Sequence, residues 1–509
     1  MPSRVRTRTR IERGDWQTPA GLARAVVERV HSSGAAAGAR PPRTVIEPTC
    51  GEGTFLVAAG ERFPRAKLVG YEINAEYTRA ARVALRASGG RARVVTRDFF
   101  ATDWARELRD VEGPVLLVGN PPWVTTAQLG AIGRTNLPDK SNGRGFKGLD
   151  ALTGKSNFDV SEWMIERLLE VLGGREATVA MLCKAAVARR LVGTIGARKL
   201  AVEPVGLWRI DAAEHFDASV SAVLFVARTR RGAARAAPAS WPVYARLDAA
   251  EPESSLGVVD GVLVADAERF VRTRHLSGNC EPEWRSGMKH DCARVMELVR
   301  SDGDPHGAWL NGLGERVEIE SELVHPLLKS SDVANGRAVP TRAMIVTQRS
   351  LGEDTTTLRA RAPRAWRYLS RHRALLDARK SSIYEKQPPF AIFGVGAYSF
   401  APWKVAVSGL YKRSTFTVVG PHEGRAVVLD DTCYFLAFDD ERGARRAAAA
   451  LRSDAAGDFL GARIFWDAKR PITKSILQTL DLNALCASES SGESTNRMLG
   501  EGLAPAQVP

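Results

Sequence analysis

The sequence predicts an α/β protein: a seven-stranded, doubly wound, mostly parallel sheet followed by a mixed α+β domain. Three observations predict it. The first half of the 509 residues alternates short apolar runs with amphipathic stretches of helical period. Glycine turns and acidic residues recur at the ends of successive strand candidates. Past residue 242 the alternation stops, and short β runs, irregular loops and clusters of Trp, Tyr, Lys and Arg take over.

In chain order, a helix is expected over Ala20–Val30 and strands over Thr44–Glu47, Lys67–Ile73, Arg93–Thr96 and Val115–Gly119. Further strands are expected over Ala177–Leu182, Val205–Ile210 and Ala222–Ala227. Helical patterns at Gly53–Phe63, Ala75–Ala87 and Asp159–Leu172 lie between them. The last two strands have no clear helix between them, so they read as an antiparallel hairpin at one edge of the sheet. The polar stretch Arg228–Pro242, rich in Arg and Ala, reads as a linker. The expected organisation is a basic arm at 1–14, a first domain at 15–230, a linker at 231–242, a second domain at 243–486 and a disordered tail at 487–509.

A hydrophobic fraction of 44% and a charged fraction of 26% are those of a globular protein. No apolar run approaches the roughly 20 residues of a membrane span. The N-terminus, with Arg4, Arg6, Arg8, Arg10 and Arg13, lacks the apolar core of a secretory signal. A cytoplasmic protein is expected. Lys+Arg 72 against Asp+Glu 58 gives a net charge of +14. Such an excess favours a polyanion, because each neutralised phosphate releases counterions; an Arg-rich proteome accounts for the same number. The six cysteines form no CxxC pair. His275, Cys280, His290 and Cys292 cluster at spacings that match no common zinc pattern, and no metal is expected.

Three successive strand ends carry ligand-binding chemistry. The first opens into Glu47-Pro48-Thr49-Cys50-Gly51-Glu52-Gly53, where glycines let a ligand approach the backbone at the carboxyl end of the strand. The second ends in Glu72-Ile73, about 20 residues on, the offset at which a carboxylate accepts from ribose hydroxyls. The third ends in Asp98-Phe99, an acceptor for an adenine amine beside a ring to pack on it. A dinucleotide oxidoreductase would explain the first two, but not the fourth strand end.

That end reads Asn120-Pro121-Pro122-Trp123. Two prolines straight after an apolar strand make a rigid turn at the sheet's binding edge. The Asn120 side-chain oxygen and the Pro121 carbonyl can each accept one hydrogen of a planar amine such as adenine N6. Held so, the nitrogen keeps electron density while it attacks an electrophile positioned in line. Trp123 offers a flat face for a base.

With these residues in place, the chain resembles the gamma-class, TaqI-like N6-adenine DNA methyltransferases, and its seven strands with a final hairpin are similar to the S-adenosylmethionine-dependent methyltransferase fold. Asp15-Trp16-Gln17-Thr18-Pro19 resembles the segment that closes over the methionine end of the cofactor. The resemblance assigns S-adenosylmethionine to Gln17, Thr18, Pro19, Glu47, Thr49, Cys50, Gly51, Gly53, Glu72, Ile73, Asp98, Phe99 and Asn120. It assigns catalysis to Asn120, Pro121, Pro122 and Trp123, and an extruded target base to Trp123 and Phe216. Tyr or Phe is commoner than Trp at the fourth catalytic position, so this chain departs from the pattern in its base pocket. Gly154–Phe158 and His215–Val223 are similar to the family as well.

The second half resembles, more loosely, the family's specificity domain, at Val324–Asp332, Pro389–Gly396 and Phe400–Val405. Lys329 and Lys404 in these stretches, with Lys140, Arg144, Lys147 and Lys155 of the loop 124–155, are candidate DNA contacts. A duplex DNA partner and base flipping are expected, in a modification enzyme of restriction-modification type. Any cognate endonuclease is expected to be a separate protein, because the motifs begin near the N-terminus. An RNA adenine or protein-glutamine methyltransferase shares the Asn-Pro-Pro-aromatic turn, and an inactive DNA-binding subunit would keep the fold.

Overall fold

A computed structural model of the chain describes residues 16–125, 159–230, 240–301 and 307–487. The basic arm, most of the loop 124–155 with Lys140, Arg144, Lys147 and Lys155, the stretch Gly154–Phe158, most of the linker and nearly all of the tail lie outside the described residues. The chain divides into two compact units, Met1–Glu268 and Arg269–Pro509.

The first unit is built on strands β1 (Thr44–Glu47), β2 (Lys67–Glu72), β3 (Ala92–Thr96), β4 (Val115–Gly119), β5 (Ala177–Lys184), β6 (Glu203–Ile210) and β7 (Ala222–Thr229). They run in the order β6-β7-β5-β4-β1-β2-β3. The five strands from β5 to β3 are parallel, and β7 lies antiparallel between β5 and β6. The fully buried apolar runs of β1 and β4 suit strands covered on both faces. Helices α1 (Ala20–Ala36), α2 (Thr54–Arg62), α3 (Ala75–Ala84), α4 (Trp104–Arg109), α5 (Val160–Val171), α6 (Ala185–Arg198) and the short α7 (Ala212–Phe216) accompany the sheet. In α1, Leu22, Val26, Val27 and Val30 recur at helical spacing and share one core with Phe55, Leu56 and Ala59 of α2.

Two expectations are corrected. The hairpin β6–β7 exists, but it is not at the edge. Three further strands, β8 (Trp241–Tyr244), β9 (Ser254–Val259) and β10 (Val262–Val264), continue the sheet beyond β6, which makes ten strands rather than seven. The expected boundary at residue 243 therefore falls inside the first unit. The cause is aromatic: Trp241 is fully buried and stacks on Phe225 at 4.8 Å, while Tyr244 stacks on Trp208 at 4.7 Å and 5°. Helices α4, α6 and α7 also add to the expected set, α7 lying between β6 and β7 where no clear helix is expected.

The second unit holds two sheets. One, of order β11-β20-β17-β18, comprises Arg285–Ser286, Cys433–Phe438, Trp403–Ser408 and Thr417–Val419. The other, of order β14-β13-β12-β16-β15-β19, comprises Arg316–Val317, Trp309–Asn311, Glu297–Arg300, Arg342–Ile345, Val324–Leu328 and Val428–Leu429. A helix over Glu441–Leu451 turns Ala444, Ala447, Ala448 and Leu451 into the core shared with Val405, Val407 and Leu436. No helix among the described residues is long and apolar enough to cross a membrane.

Candidate active site

The carboxyl ends of β1, β2, β3 and β4 open onto one cleft. After β1 the backbone turns through Gly51 (φ +48°) and Gly53 (φ +86°) into α2. Only glycine takes both conformations without strain. A side chain at Gly51 would also sit 2.6 Å from Gln17 Oε1, which accepts from the Glu52 N–H at 3.3 Å. The segment before α1 is thereby tied to the glycine turn.

Glu72, buried at the end of β2, accepts from the Gly51 N–H (2.9 Å) and the Asn74 N–H (2.8 Å). Two backbone donors fix the carboxylate at the cleft wall. Asn74 in turn caps α3 by accepting from the Glu76 N–H. Beside it, Ile73 lines the cleft and is 48% exposed, an apolar face without cover. Asp98 follows β3, its Oδ1 accepting from the Phe100 N–H at 3.0 Å. Phe99 is buried against Trp104, at 4.7 Å between centroids.

Glu47 is buried, and its Oε2 meets no donor among the described residues; the same holds for the hydroxyl of Thr49. Burial, with the Glu72 carboxylate nearby, pushes the Glu47 carboxyl well above the usual carboxylate range, opposed only by the Leu56 backbone. Burial, with Glu47 and Glu72 nearby, likewise pushes up the Cys50 thiol.

Asn120 ends β4. Its Nδ2 donates to the Trp16 carbonyl at 3.2 Å, while its Oδ1 is buried and meets no donor among the described residues. Pro122 lines the cleft beside it. Trp123 is turned inward, its Nε1 donating to the Leu182 carbonyl at 3.3 Å. Phe216 meets Trp123 edge to face at 5.2 Å, and Trp16 at 6.4 Å. The structure therefore joins the two residues expected to hold a base, but each is only 5% exposed and neither offers an open face.

Of the expected cofactor residues, Gln17, Thr18, Glu47, Thr49, Cys50, Gly51, Glu72, Ile73, Asp98, Phe99 and Asn120 line the cleft. Pro19 and Gly53 do not. Pro19 precedes the first turn of α1, and a side chain at Gly53 would press on Ala81 of α3. Trp16, Asn74, Tyr77, Arg97 and Phe100 line the cleft although sequence reasoning did not select them. Asn74 carried a signal, an N-cap directly after a strand end.

Two expected DNA contacts are corrected. Lys404 is 1% exposed: it sits in the central strand Trp403–Ser408, with Nζ donating to the Ala401 carbonyl. Burial alone lowers its pKa to about 7, so it presents no charge at the surface. Lys329 Nζ donates to both oxygens of Glu297, at 2.7 and 3.0 Å, and is already neutralised. Glu297 also faces His290 at 3.4 Å, and Cys280 belongs to an apolar core.

The cleft's donor set fits S-adenosylmethionine. Orphaned, buried acceptors at Glu47 and Thr49 suit a ligand bearing an ammonium, the Glu72 carboxylate suits a ribose, and Ile73 with Asp98 suits an adenine.

No family model matches the chain. Type II methyltransferase M.NspV of Nostoc sp. is 40% identical to it over 482 residues, 94% of this chain and 98% of that protein. Type II methyltransferase M.XamI of Xanthomonas campestris pv. amaranthicola is 30% identical over 143 residues, 28% of this chain and 25% of its own. Among solved structures, TrmN of Thermus thermophilus aligns with 39% of this chain and 47% of its own at 19% identity and a TM-score of 0.24, too loose an overlay to add anything. An end-to-end match to M.NspV is decisive: the chain belongs to the type II methyltransferases, with S-adenosylmethionine as its methyl donor.

Proposed function

We propose that this chain is a gamma-class DNA methyltransferase that places a methyl group on the N6 amine of an adenine flipped out of duplex DNA, as the modification enzyme of a restriction-modification system. The observation that carries this is the Asn120 amide. With Nδ2 committed to the Trp16 carbonyl, Oδ1 is the end left to accept from a substrate amine. The adjoining Pro121 carbonyl is the second acceptor that an exocyclic amine needs.

S-adenosylmethionine supplies an electrophilic methyl and a good leaving group. Glu72, Ile73 and Asp98 hold its nucleoside end, and Glu47 with Gln17 and Thr18 its methionine end. Asn120 and Pro121 hold the amine so that its lone pair leaves the ring's conjugation as the new bond forms. No residue has to remove a proton first, because the extra proton leaves after the transfer. Phe216 and Trp123 receive the base, which requires their edge-to-face contact to open. Labelled S-adenosylmethionine offered separately with duplex DNA, RNA and protein tests the substrate class: label in DNA is expected, and label in RNA or protein alone refutes it.

A further inference from the structure

We propose that Lys184 is a positioning residue for methyl transfer: by holding Asp159 it keeps the Asn120–Trp123 turn and the cofactor-facing end of α5 at one fixed spacing. The rate expected below rests on the DNA substrate proposed above. Lys184 ends β5, and its Nζ donates to Asp159 Oδ2 at 2.8 Å. The Asp159 side chain is 4% exposed and that of Lys184 25%, so the pair is largely out of water. Asp159 Oδ1 accepts from the Ser161 N–H at 3.2 Å and from its hydroxyl at 2.6 Å, capping α5. Both carboxylate oxygens are therefore committed, and among the described residues Lys184 is the one cation paired with them.

The pair sits where three parts of the site meet. Val160, directly after Asp159, donates its backbone N–H to the Val124 carbonyl at 2.9 Å, and Asp159 itself bridges Thr125 in antiparallel fashion. Val124 directly follows Trp123, so this pairing ties the turn to the start of α5. Val160 and Met164, four residues apart on one side of α5, line the cofactor cleft. The pairing of Gly119 with Met181 brings the turn out of the sheet alongside the end of β5. There the Leu182 carbonyl accepts from Trp123 Nε1 at 3.3 Å. The end of β5 thus grips both flanks of the site, Trp123 through a carbonyl and α5 through an ammonium.

That end of β5 is itself held firmly. Lys184 pairs with Ala222 of β7, and the Ala185 N–H donates to the Ser221 carbonyl at 2.9 Å. Apolar packing around α5 is non-directional, whereas an ion pair out of water with its remaining lone pairs satisfied favours one geometry. Further along the same two helices, Arg190 pairs with Glu162, and Arg198 with Glu166 and Glu170. Those pairs join helix to helix. The Lys184–Asp159 pair instead joins a strand end to the backbone beside the turn.

The test compares full-chain variants by methyl transfer to duplex DNA, cofactor calorimetry, thermal melts and fluorine NMR of 5-fluorotryptophan-labelled protein. The Trp123 signal is assigned by its loss in Trp123→Phe. Lys184→Met is expected to lower kcat on the order of 100-fold, to change cofactor affinity far less, and to shift or broaden the Trp123 signal. Lys184→Arg keeps the pair and should restore most of the rate and the signal. Lys184→Met combined with Asp159→Asn leaves no unpaired buried carboxylate, so it should recover melting temperature but not rate. Arg198→Met, which breaks the far pairs, should lower the melting temperature and leave rate and signal near the parent's. A parent-like rate and signal in folded Lys184→Met, or in the double variant, overturns the positioning role, as does an equal loss of rate in Arg198→Met. If the parent methylates no duplex DNA, the substrate reading fails, and the Trp123 signal alone decides the positioning role.

Discussion

The Asn120 side-chain amide donates through Nδ2 to the Trp16 carbonyl at 3.2 Å, and that bond decides which end of the amide faces the cleft. The residue before α1 therefore positions the residue at the end of β4. Asn120→Ala removes the acceptor and is expected to lower the methyl-transfer rate on the order of 100- to 1,000-fold. Asn120→Asp keeps an oxygen but loses the donor, so a carboxylate oxygen faces the Trp16 carbonyl and the rate should fall as well. Cofactor affinity, measured by calorimetry, should change far less in Asn120→Ala than the rate does.

If Glu47 meets the cofactor's ammonium, as proposed, cofactor binding is expected to depend on pH. Its pKa is raised in the folded, ligand-free chain, so the folded state holds a proton that the unfolded state has released. Stability of the free chain is accordingly expected to fall as pH rises from the ordinary carboxylate pKa through the raised one. A cationic cofactor favours the ionised form, so its affinity should rise over the same window. Calorimetric titrations from about pH 5 to 8 should show this rise, and Glu47→Gln should flatten it.

Lys404 works against stability at neutral pH. Its pKa falls from 10.5 unfolded to about 7 folded, so between those values the unfolded chain binds the extra proton. Stability of the second unit is expected to rise with pH across that window, by an amount on the order of a few kcal/mol. Lys404→Met should flatten the dependence and raise Tm at pH 7. An unchanged Tm would mean that its bond to the Ala401 carbonyl offsets the desolvation.

Trp241 holds the three-strand extension of the first sheet. It is fully buried and stacked on Phe225, so Trp241→Ala should destabilise the first unit by about 3–5 kcal/mol. Denaturant melts of the full chain check this. A loss below 1 kcal/mol would show that β8 is held by its backbone pairing alone.

What was legible in the sequence was local. Strands β1 to β4 are short apolar runs, and Gly51, Glu72, Asp98 and Asn120 sit at or just past their ends, so strand, turn and ligand chemistry share one stretch of chain. The β8–β10 extension was hidden because its cause is long-range: Trp241 and Tyr244 find Phe225 and Trp208 only after folding. Lys404 was misread for a related reason. The strand from Trp403 to Ser408 is buried on both faces, so alternation along it does not mark an outward side. Trp16 contributes to the cleft through its carbonyl, which no side-chain pattern reveals.

The most direct test is to digest duplex DNA after reaction with the chain and S-adenosylmethionine and to identify the methylated nucleoside by mass spectrometry. N6-methyladenine is expected with the parent chain and should be nearly absent with Asn120→Ala. Methylcytosine instead, or N6-methyladenine formed at the parent rate by Asn120→Ala, would contradict the assignment of the Asn120 amide to an adenine amine.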